Sequence, residues 1–261
     1  MIFRRDLSEK KLSKLFGLNK DREGIITRYL NEKENWEVHI KNTKEFILKS
    51  AETKNKGTAV ILGSGWWLDL PFEELSKLFK NLYFVDISHP NQIKHKSKQF
   101  LNIELITADI SGTFKSIYKI SKKKNSEITP SNFKININNF GLPKDLKIDF
   151  LVSLNLLNQL SYFPKNYLLR NELVSENDAK KIVKEIEQKH IFSLLKNKSC
   201  IIADFFQYEY DFNDVLQKET IRTLAEFPKN VSIKEWIWDF DLSGNFIKNR
   251  KVKFKVAALQ V

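Results

Sequence analysis

A glycine-rich turn is the segment of this sequence whose residues could bring a backbone against a ligand. Ile61–Pro71 reads ILGSGWWLDLP and lies between an apolar run and a predicted helix. Gly63 and Gly65 allow the backbone to turn sharply and to approach a bound molecule. The start of the next helix presents unpaired N–H groups that suit a carboxylate or a phosphate.

Two aspartates follow the next two apolar runs at matching positions. Asp86 lies 23 residues after Gly63, and Asp109 lies 23 residues after Asp86. An acidic side chain at the end of the second strand can accept hydrogen bonds from both hydroxyls of a ribose. The carboxyl ends of successive parallel strands meet at one crevice, so the glycine turn and the two aspartates together favour a nucleoside pocket. The alternative for each aspartate is that it caps the helix after it.

Other nucleotide sites fit the turn less well. The dinucleotide fingerprint needs a third small residue where Leu68 stands, and we expect Trp66 and Trp67 to crowd the place of a pyrophosphate. The sequence also contains no GxxxxGK[ST] motif, which excludes a P-loop ATPase.

The elements that would position these residues alternate between strands and helices. Such alternation predicts an α/β fold: a doubly wound, mostly parallel sheet with helices on both faces. Two strand-like runs joined by a turn at Ser243–Asn245 predict a C-terminal antiparallel hairpin. The predicted strands are Thr58–Leu62, Leu82–Val85, Ile103–Thr107, Ile148–Ser153, Ser199–Ala203, Val231–Asp239 and Lys251–Gln260, and the predicted helices are Pro71–Lys80, Asn91–Phe100 and a segment around Ala179–Lys196.

The chain divides into two predicted regions. Residues 1–56 read as an N-terminal helical cap, with a short helix carrying Leu12, Leu15 and Phe16 and a longer one from about Asp21. Residues 57–261 form the α/β domain, with an insertion at about 111–147 that is too long for one crossover helix.

Composition limits the class of protein. Hydrophobic residues make up 42% of the 261 residues, which is enough for a core and excludes a disordered chain. The single cysteine, Cys200, excludes an internal disulfide and lies in an apolar run typical of a buried thiol. No apolar run approaches the ~18 residues of a membrane helix, and the start lacks the apolar region of a secretory signal, so we expect a cytoplasmic protein without a membrane partner.

The net charge of +12 is compatible with an anionic partner such as nucleic acid. Only 7 of the 44 basic residues are arginine, which leaves 37 lysines scattered along the chain. Specific recognition of phosphates and bases relies on arginine, so a solvated lysine surface is the competing interpretation.

The order of these parts resembles that of the class I S-adenosylmethionine-dependent methyltransferases, over roughly residues 57–261. The resemblance rests on the GSG turn after the first strand, Asp86 in YFVDIS, Asp109 in LITADIS, the strand IDFLVSLN and the terminal hairpin. It implies S-adenosyl-L-methionine as the cofactor, lying over Gly63, Ser64 and Gly65. It also implies that Asp86 binds the ribose, Asp109 the adenine amino group, and Ile87 and Ile110 the faces of the adenine ring.

The sequence departs from that family in its glycine loop. Ile61 replaces the usual acidic residue, and Trp67 replaces the usual third glycine. Asp69 could supply the missing carboxylate to the ammonium group of the cofactor, or it could cap the helix that follows.

Methyl transfer depends mainly on alignment of the reactants, so no universal catalytic residue is expected. The candidates are Asn155 after the fourth strand, which also joins the cofactor-binding set, His39 on the N-terminal helix, and Tyr208 in the aromatic run Asp204–Tyr210. Their alternatives are capping and core-edge hydrogen bonds for Asn155 and Asn158, and a core-covering loop for the aromatic run. His95 and His190 lie among lysines and are expected to be solvated, and no cluster has metal-binding spacing.

The resulting hypothesis is a methyltransferase that acts on a small molecule. The alternatives are an RNA or protein methyltransferase that uses the basic surface, and a catalytically silent module of the same fold that binds an adenosyl ligand or nucleic acid. The sequence lacks the [DNS]PP[YFW] motif of many amino-directed nucleic-acid methyltransferases, which disfavours that subclass.

Overall fold

The computed structural model describes residues 17–121, 128–137, 140–195, 199–229 and 231–261. Its strands form one sheet in the order β3-β2-β1-β4-β5-β8-β7, and β6 pairs with β5. The strands are β1 (Thr58–Leu62), β2 (Asn81–Asp86), β3 (Ile103–Thr107), β4 (Phe150–Leu154), β5 (Ser199–Tyr210), β6 (Leu216–Ile221), β7 (Ile233–Asp241) and β8 (Lys251–Gln260). The helices are α1 (Leu18–Asn31), α2 (Lys33–Glu52), α3 (Phe72–Leu78), α4 (Asn91–Ser97), α5 (Phe114–Ser121), α6 (Leu157–Arg170) and α7 (Glu176–Leu194).

The predicted fold class is confirmed. Strands β1 to β5 pair in parallel, and the chain order reverses beside β1, as in a doubly wound sheet. β7 and β8 pair in antiparallel register from Ile233 opposite Leu259 to Asp241 opposite Val252, which confirms the hairpin. The predicted short helix that carries Leu12, Leu15 and Phe16 lies outside the described residues.

The fifth strand is longer than the sequence predicts. The sequence places Asp204–Tyr210 after the strand, but these residues belong to β5, which pairs with β8 along this stretch and with β6 from Phe206 onward. The charge of Asp204 indicates an end to the strand. The structure keeps this side chain buried by pairing it with the guanidinium of Arg222.

Helix α6 is not among the predicted elements. It contains Pro164 in its interior, where the missing N–H and the ring normally disfavour a helix. Tertiary packing stabilises it nonetheless, because seven of its side chains are buried: Leu157, Asn158, Leu160, Ser161, Pro164, Tyr167 and Leu168.

Two hydrophobic clusters cover opposite faces of the sheet. The N-terminal helix α2 contributes Trp36, Ile47 and Ala51 to the cluster that also contains residues of β1, β4, β7 and β8. Trp36 is tied to the hairpin as well, since its indole N–H donates to the carbonyl of Phe240 at 2.9 Å. α2 is therefore packed into the same core as the sheet. In the described part of the chain, every helix is too short or too polar to cross a membrane.

Helix α7 buries two ionisable side chains on the other face. The prediction of a solvated His190 is wrong, because this residue is fully buried and its Nε2 lies 2.9 Å from the hydroxyl of Ser153. Burial lowers the pKa of His190 to about 3. Burial also raises the pKa of Glu187 to about 7, although this carboxyl group accepts hydrogen bonds from Ser161 and from two backbone amides. The neighbouring lysines in the sequence give no sign that this face of the helix is apolar.

These two groups give opposite pH dependences of stability. Between pH 4.5 and about 7 the folded chain binds a proton on Glu187 that the unfolded chain releases, so the free energy of unfolding falls as the pH rises. Between about pH 3 and 6.5 only the unfolded chain binds a proton on His190, so the free energy of unfolding rises with pH. The two effects offset each other where their ranges overlap.

We therefore predict that Glu187→Gln becomes more stable relative to the wild type as the pH rises from 4.5 to 7. A neutral amide can still accept from the two backbone N–H groups and can donate to Ser161, so only the titration is removed. The expected gain approaches about 3 kcal/mol across this range. Urea unfolding of both proteins at several pH values measures it, and a stability difference that does not vary with pH would refute it.

Candidate active site

The glycine turn after β1 has one crowded and one open position. Gly63 has φ of 80°, and a Cβ there would lie 2.8 Å from the carbonyl oxygen of Leu154, so only glycine fits. Gly65 has φ of 48°, and the nearest atom to a Cβ at that position would be the carbonyl oxygen of Gly63 at 4.0 Å. The turn thus packs against β4 at one glycine and faces open space at the other.

Asp86 connects the turn to the end of β2. Its Oδ2 accepts a hydrogen bond from the backbone N–H of Gly65 at 2.9 Å, and its Oδ1 accepts one from that of Ser88 at 3.3 Å. Burial raises the pKa of Asp86, and the attraction of His89 and these hydrogen bonds oppose the rise. A carboxylate has about four acceptor positions, so Asp86 keeps capacity for further donors.

Asp109 has a local structural role. Its Oδ1 accepts from the Ser111 hydroxyl at 2.6 Å, and its Oδ2 accepts from the backbone N–H of Phe114, the first residue of α5, at 2.8 Å. This is the helix-capping alternative. Ile110 beside it is buried within the hydrophobic cluster that contains Val60, whereas Ile87 is partly exposed next to Asp86.

Trp67, one of the two tryptophans expected to crowd a pyrophosphate, lies in the core instead. Trp67 is only 3% exposed and packs against Phe72 and Phe84 in the core. Its φ of 61° is unusual for a bulky residue, and burial of the indole offsets that backbone strain. The indole N–H of Trp66 donates to the carbonyl of Arg22 in α1 at 2.9 Å, so this ring is directed toward the N-terminal helices.

Two of the predicted site residues, Asn155 and His39, approach the carboxylate of a third, Asp69. Asn155, which follows β4, donates from Nδ2 to Asp69 Oδ2 at 2.6 Å. His39 of α2 is 1% exposed, and its Nε2 lies 3.6 Å from the same oxygen. Asp69 does not cap the next helix, because that helix has Pro71 at its N-cap and no side-chain cap. We call Asp69, Asn155 and His39 the Asp69 cluster.

The tautomer of His39 follows from its other contact. The indole N–H of Trp236 in β7 lies 3.1 Å from His39 Nδ1, and an indole nitrogen can only donate. Nδ1 must therefore accept, which leaves the proton of the neutral ring on Nε2, facing Asp69. Asn155 Nδ2, 3.2 Å from Nε2, is a second donor directed to the same carboxylate rather than a partner of the ring.

Several polar atoms at this edge of the sheet are buried without a partner among the described residues. Besides the indole nitrogen of Trp67 and Nδ1 of His89, they include Ser64 Oγ in the glycine turn and Asn155 Oδ1. Asn155 also has φ of 45°, a left-handed conformation that Asn tolerates better than most residues. Buried polar groups are normally hydrogen-bonded, so Ser64 Oγ and Asn155 Oδ1 are suited to contact a bound molecule.

Tyr208 is not brought to the Asp69 cluster. Its neighbour Gln207 is paired with Phe254, which contacts Trp238 on the face of the sheet that carries His39. Side chains alternate along a strand, so Tyr208 is directed to the opposite face, across from Lys253. The prediction of a catalytic Tyr208 assumed a loop, and the extension of β5 removes that basis. Asn158 likewise has the core-edge role, donating to the carbonyl of Asp204 at 3.2 Å.

The sequence gives no signal for Trp236, which lies 197 positions from His39. Cys200 is fully buried as expected, and burial raises its pKa to about 12. Across the described ranges, no group of three His, Cys, Asp or Glu side chains could hold a metal ion.

Comparison with known proteins finds similarity only at the level of structure. No protein-family model matches the chain, and no curated protein sequence matches it. The fold is similar to 1,6-didemethyltoxoflavin-N1-methyltransferase from Burkholderia thailandensis, solved with 1,6-didemethyltoxoflavin and S-adenosylhomocysteine, with 9% identity, a TM-score of 0.42, and coverage of 99% of this chain and 92% of that one.

Two further solved structures are also methyltransferases. The N-methyltransferase NodS from Bradyrhizobium japonicum WM9, in complex with S-adenosylhomocysteine, shares 11% identity at a TM-score of 0.37, over 84% of this chain and 85% of that one. A methyltransferase from Aquifex aeolicus that depends on S-adenosylmethionine shares 17% identity at a TM-score of 0.34, over 84% and 89% of the two chains.

The two glycines of the turn should differ in their response to substitution. Gly63→Ala and Gly65→Ala both place a Cβ on a left-handed residue, which costs about 1–2 kcal/mol. Only Gly63→Ala also collides with backbone, which adds about 1–3 kcal/mol. We predict that Gly63→Ala lowers the free energy of unfolding by about 3 kcal/mol and Gly65→Ala by about 1 kcal/mol. Urea unfolding tests this, and equal losses would contradict the packing described for Gly63.

Proposed function

We propose that this protein is an S-adenosylmethionine-dependent methyltransferase whose methyl acceptor is a small molecule. The observation that carries the proposal is the convergence of polar groups at the carboxyl edge of the parallel strands. Gly65 of the turn after β1 donates to Asp86 at the end of β2, and Asp69 of the same segment accepts from Asn155 after β4. Ligands bind at this edge of doubly wound sheets, where the strand order reverses.

The residues present fit the adenosyl cofactor. The open side of Gly65 allows a ligand to approach the turn closely, and Ser64 Oγ and Asn155 Oδ1 are buried polar atoms that a ligand could satisfy. We propose that Asp86 holds the ribose hydroxyls and that Ile87 lies against the adenine. We propose Asp69 and Asn155 as the acceptors for the ammonium group. Asp109 and Ile110 then act indirectly, by fixing the loop that follows β3.

Methyl transfer depends on how the two reactants are positioned more than on acid–base groups. When bound, S-adenosylmethionine supplies a methyl group on a positively charged sulfur to a nucleophile. The contribution of this chain is to orient the two reactants and to exclude water. We propose Asn155 as the residue of the Asp69 cluster that contacts both reactants, which is supported by its place after β4 and by its Oδ1, buried without a partner within the described chain.

A small acceptor is supported by the closure of this edge. Trp66 of the glycine turn donates a hydrogen bond to the backbone carbonyl of Arg22 in helix α1. The side chain of Arg22 in turn donates to the hydroxyl of Ser88 at 2.8 Å. Helix α2 and the hairpin enclose the other side, since His39 stacks on Trp238 with 3.8 Å between ring centroids. A site covered by helices and a hairpin suits a small molecule better than an extended polymer.

Calorimetric titration tests the proposal. We expect micromolar binding of S-adenosylmethionine and S-adenosylhomocysteine and no binding of NAD⁺. Asp86→Ala removes the acceptor for two ribose hydroxyls, and hydrogen bonds to a charged group contribute about 1.5–3 kcal/mol each, so affinity should fall about 100-fold or more.

Asp109→Asn is the matched control, because its amide oxygen can still accept from the backbone N–H of Phe114 and keep the loop after β3 in place. We expect this variant to bind the adenosyl ligands within a few-fold of the wild type. Failure of the wild type to bind either adenosyl ligand, or normal binding by a folded Asp86→Ala variant, would overturn the proposed site.

A further inference from the structure

The Asp69 carboxylate is connected to the far edge of the sheet by a chain of aromatic contacts. Trp236 in β7 donates its indole N–H to His39 Nδ1 at 3.1 Å, and Trp238 stacks flat on the same imidazole with 6° between the ring planes. His39 is 1% exposed, so these two contacts hold its ring in a single orientation. The orientation directs Nε2 toward Asp69 Oδ2, 3.6 Å away.

This arrangement makes His39 a donor. Because Nδ1 already accepts from Trp236, the neutral ring carries its proton on Nε2 and cannot take a proton from a methyl acceptor at that atom. The predicted role of His39 as a catalytic residue therefore gives way to one in which it acts through Asp69. A separation of 3.6 Å exceeds a hydrogen bond, but the N–H dipole still stabilises the negative charge of a mostly desolvated carboxylate.

The donors occupy only one side of the carboxylate. Asn155 Nδ2 and His39 Nε2 both lie near Oδ2, and within the described ranges no donor is paired with Asp69 Oδ1. Asn155 Oδ1 is likewise without a described partner. Two acceptors are thus left for a group that carries several N–H donors, and an ammonium group is such a group.

We propose that Trp236 and His39 are positioning residues, which hold Asp69 with Oδ1 directed toward the ammonium end of the adenosyl cofactor. This inference rests on the proposed function. In this proposal the hairpin and helix α2, through Trp236 and His39, help to bind the amino-acid part of the ligand. They do not affect binding of its adenosine part.

The test compares two ligands on two tryptophan variants of the full chain. S-adenosylhomocysteine carries the ammonium group, whereas 5′-methylthioadenosine keeps the adenosine and lacks the amino-acid part. Trp236→Phe removes the N–H that fixes His39. Trp238→Phe is the matched control, because phenylalanine keeps an aromatic ring to stack on His39 and the indole N–H that is lost has no partner among the described residues.

We expect Trp236→Phe to weaken S-adenosylhomocysteine binding about fivefold, which is the effect of one buried hydrogen bond. The affinity of this variant for 5′-methylthioadenosine should stay within about twofold of the wild-type value. Trp238→Phe should change both affinities by the same factor. The inference is overturned if the wild type binds both ligands and Trp236→Phe weakens them equally or weakens neither. If the wild type binds neither ligand, the proposed function itself fails, and the inference fails with it.

Variants of His39 provide a second test, which does not depend on the folding of Trp236→Phe. His39→Gln can place an amide N–H near Asp69, whereas His39→Leu cannot. We expect His39→Leu to lose affinity for S-adenosylhomocysteine selectively and His39→Gln to recover most of it. Equal affinities in the two variants would overturn the positioning role.

Discussion

The carboxylate of Asp69 is the point on which the arrangement of this site depends. It lies in the glycine turn, yet its partners come from α2 and from the residue after β4, and the hairpin reaches it through His39. A carboxylate that is only one-fifth exposed must be compensated by donors, because an unpaired charge at that depth is costly. Satisfying it fixes the helical cap, the turn and the hairpin relative to one another.

The sheet can be predicted from the sequence because its signals are local. Apolar runs that alternate with helical stretches predict parallel pairing, and the observed β3 has the predicted bounds, Ile103–Thr107. The predictions are wrong where tertiary packing overrides a local signal. Asp204 extends β5 because Arg222 neutralises it, and α6 accommodates Pro164 because its buried face packs against the sheet. His190 follows Gln188 and Lys189 in sequence, but its side chain is fully buried and lies beside Phe140.

The sequence predicts those parts of the site whose residues are brought together by the order of the strands in the sheet. Gly63 and Asp86 follow adjacent strands, so their meeting at one edge follows from the strand order. Contacts across long sequence separations leave no local signal. The tautomer of His39 depends on Trp236, and the directions of Trp67 and Tyr208 depend on the path of the turn and the length of β5. The two aspartates that look equivalent in sequence also differ: Asp109 caps a helix, while Asp86 supports the glycine turn.

The most direct test is a crystal structure of the protein with S-adenosylhomocysteine. We expect the ribose hydroxyls to contact Asp86, and the ammonium nitrogen to lie within hydrogen-bonding distance of Asp69 and Asn155. We also expect Trp236 to keep its hydrogen bond to His39 in the complex. A ligand bound elsewhere on the chain, or one whose ammonium group faces solvent while Asp69 contacts only Asn155, would contradict the central role of this carboxylate.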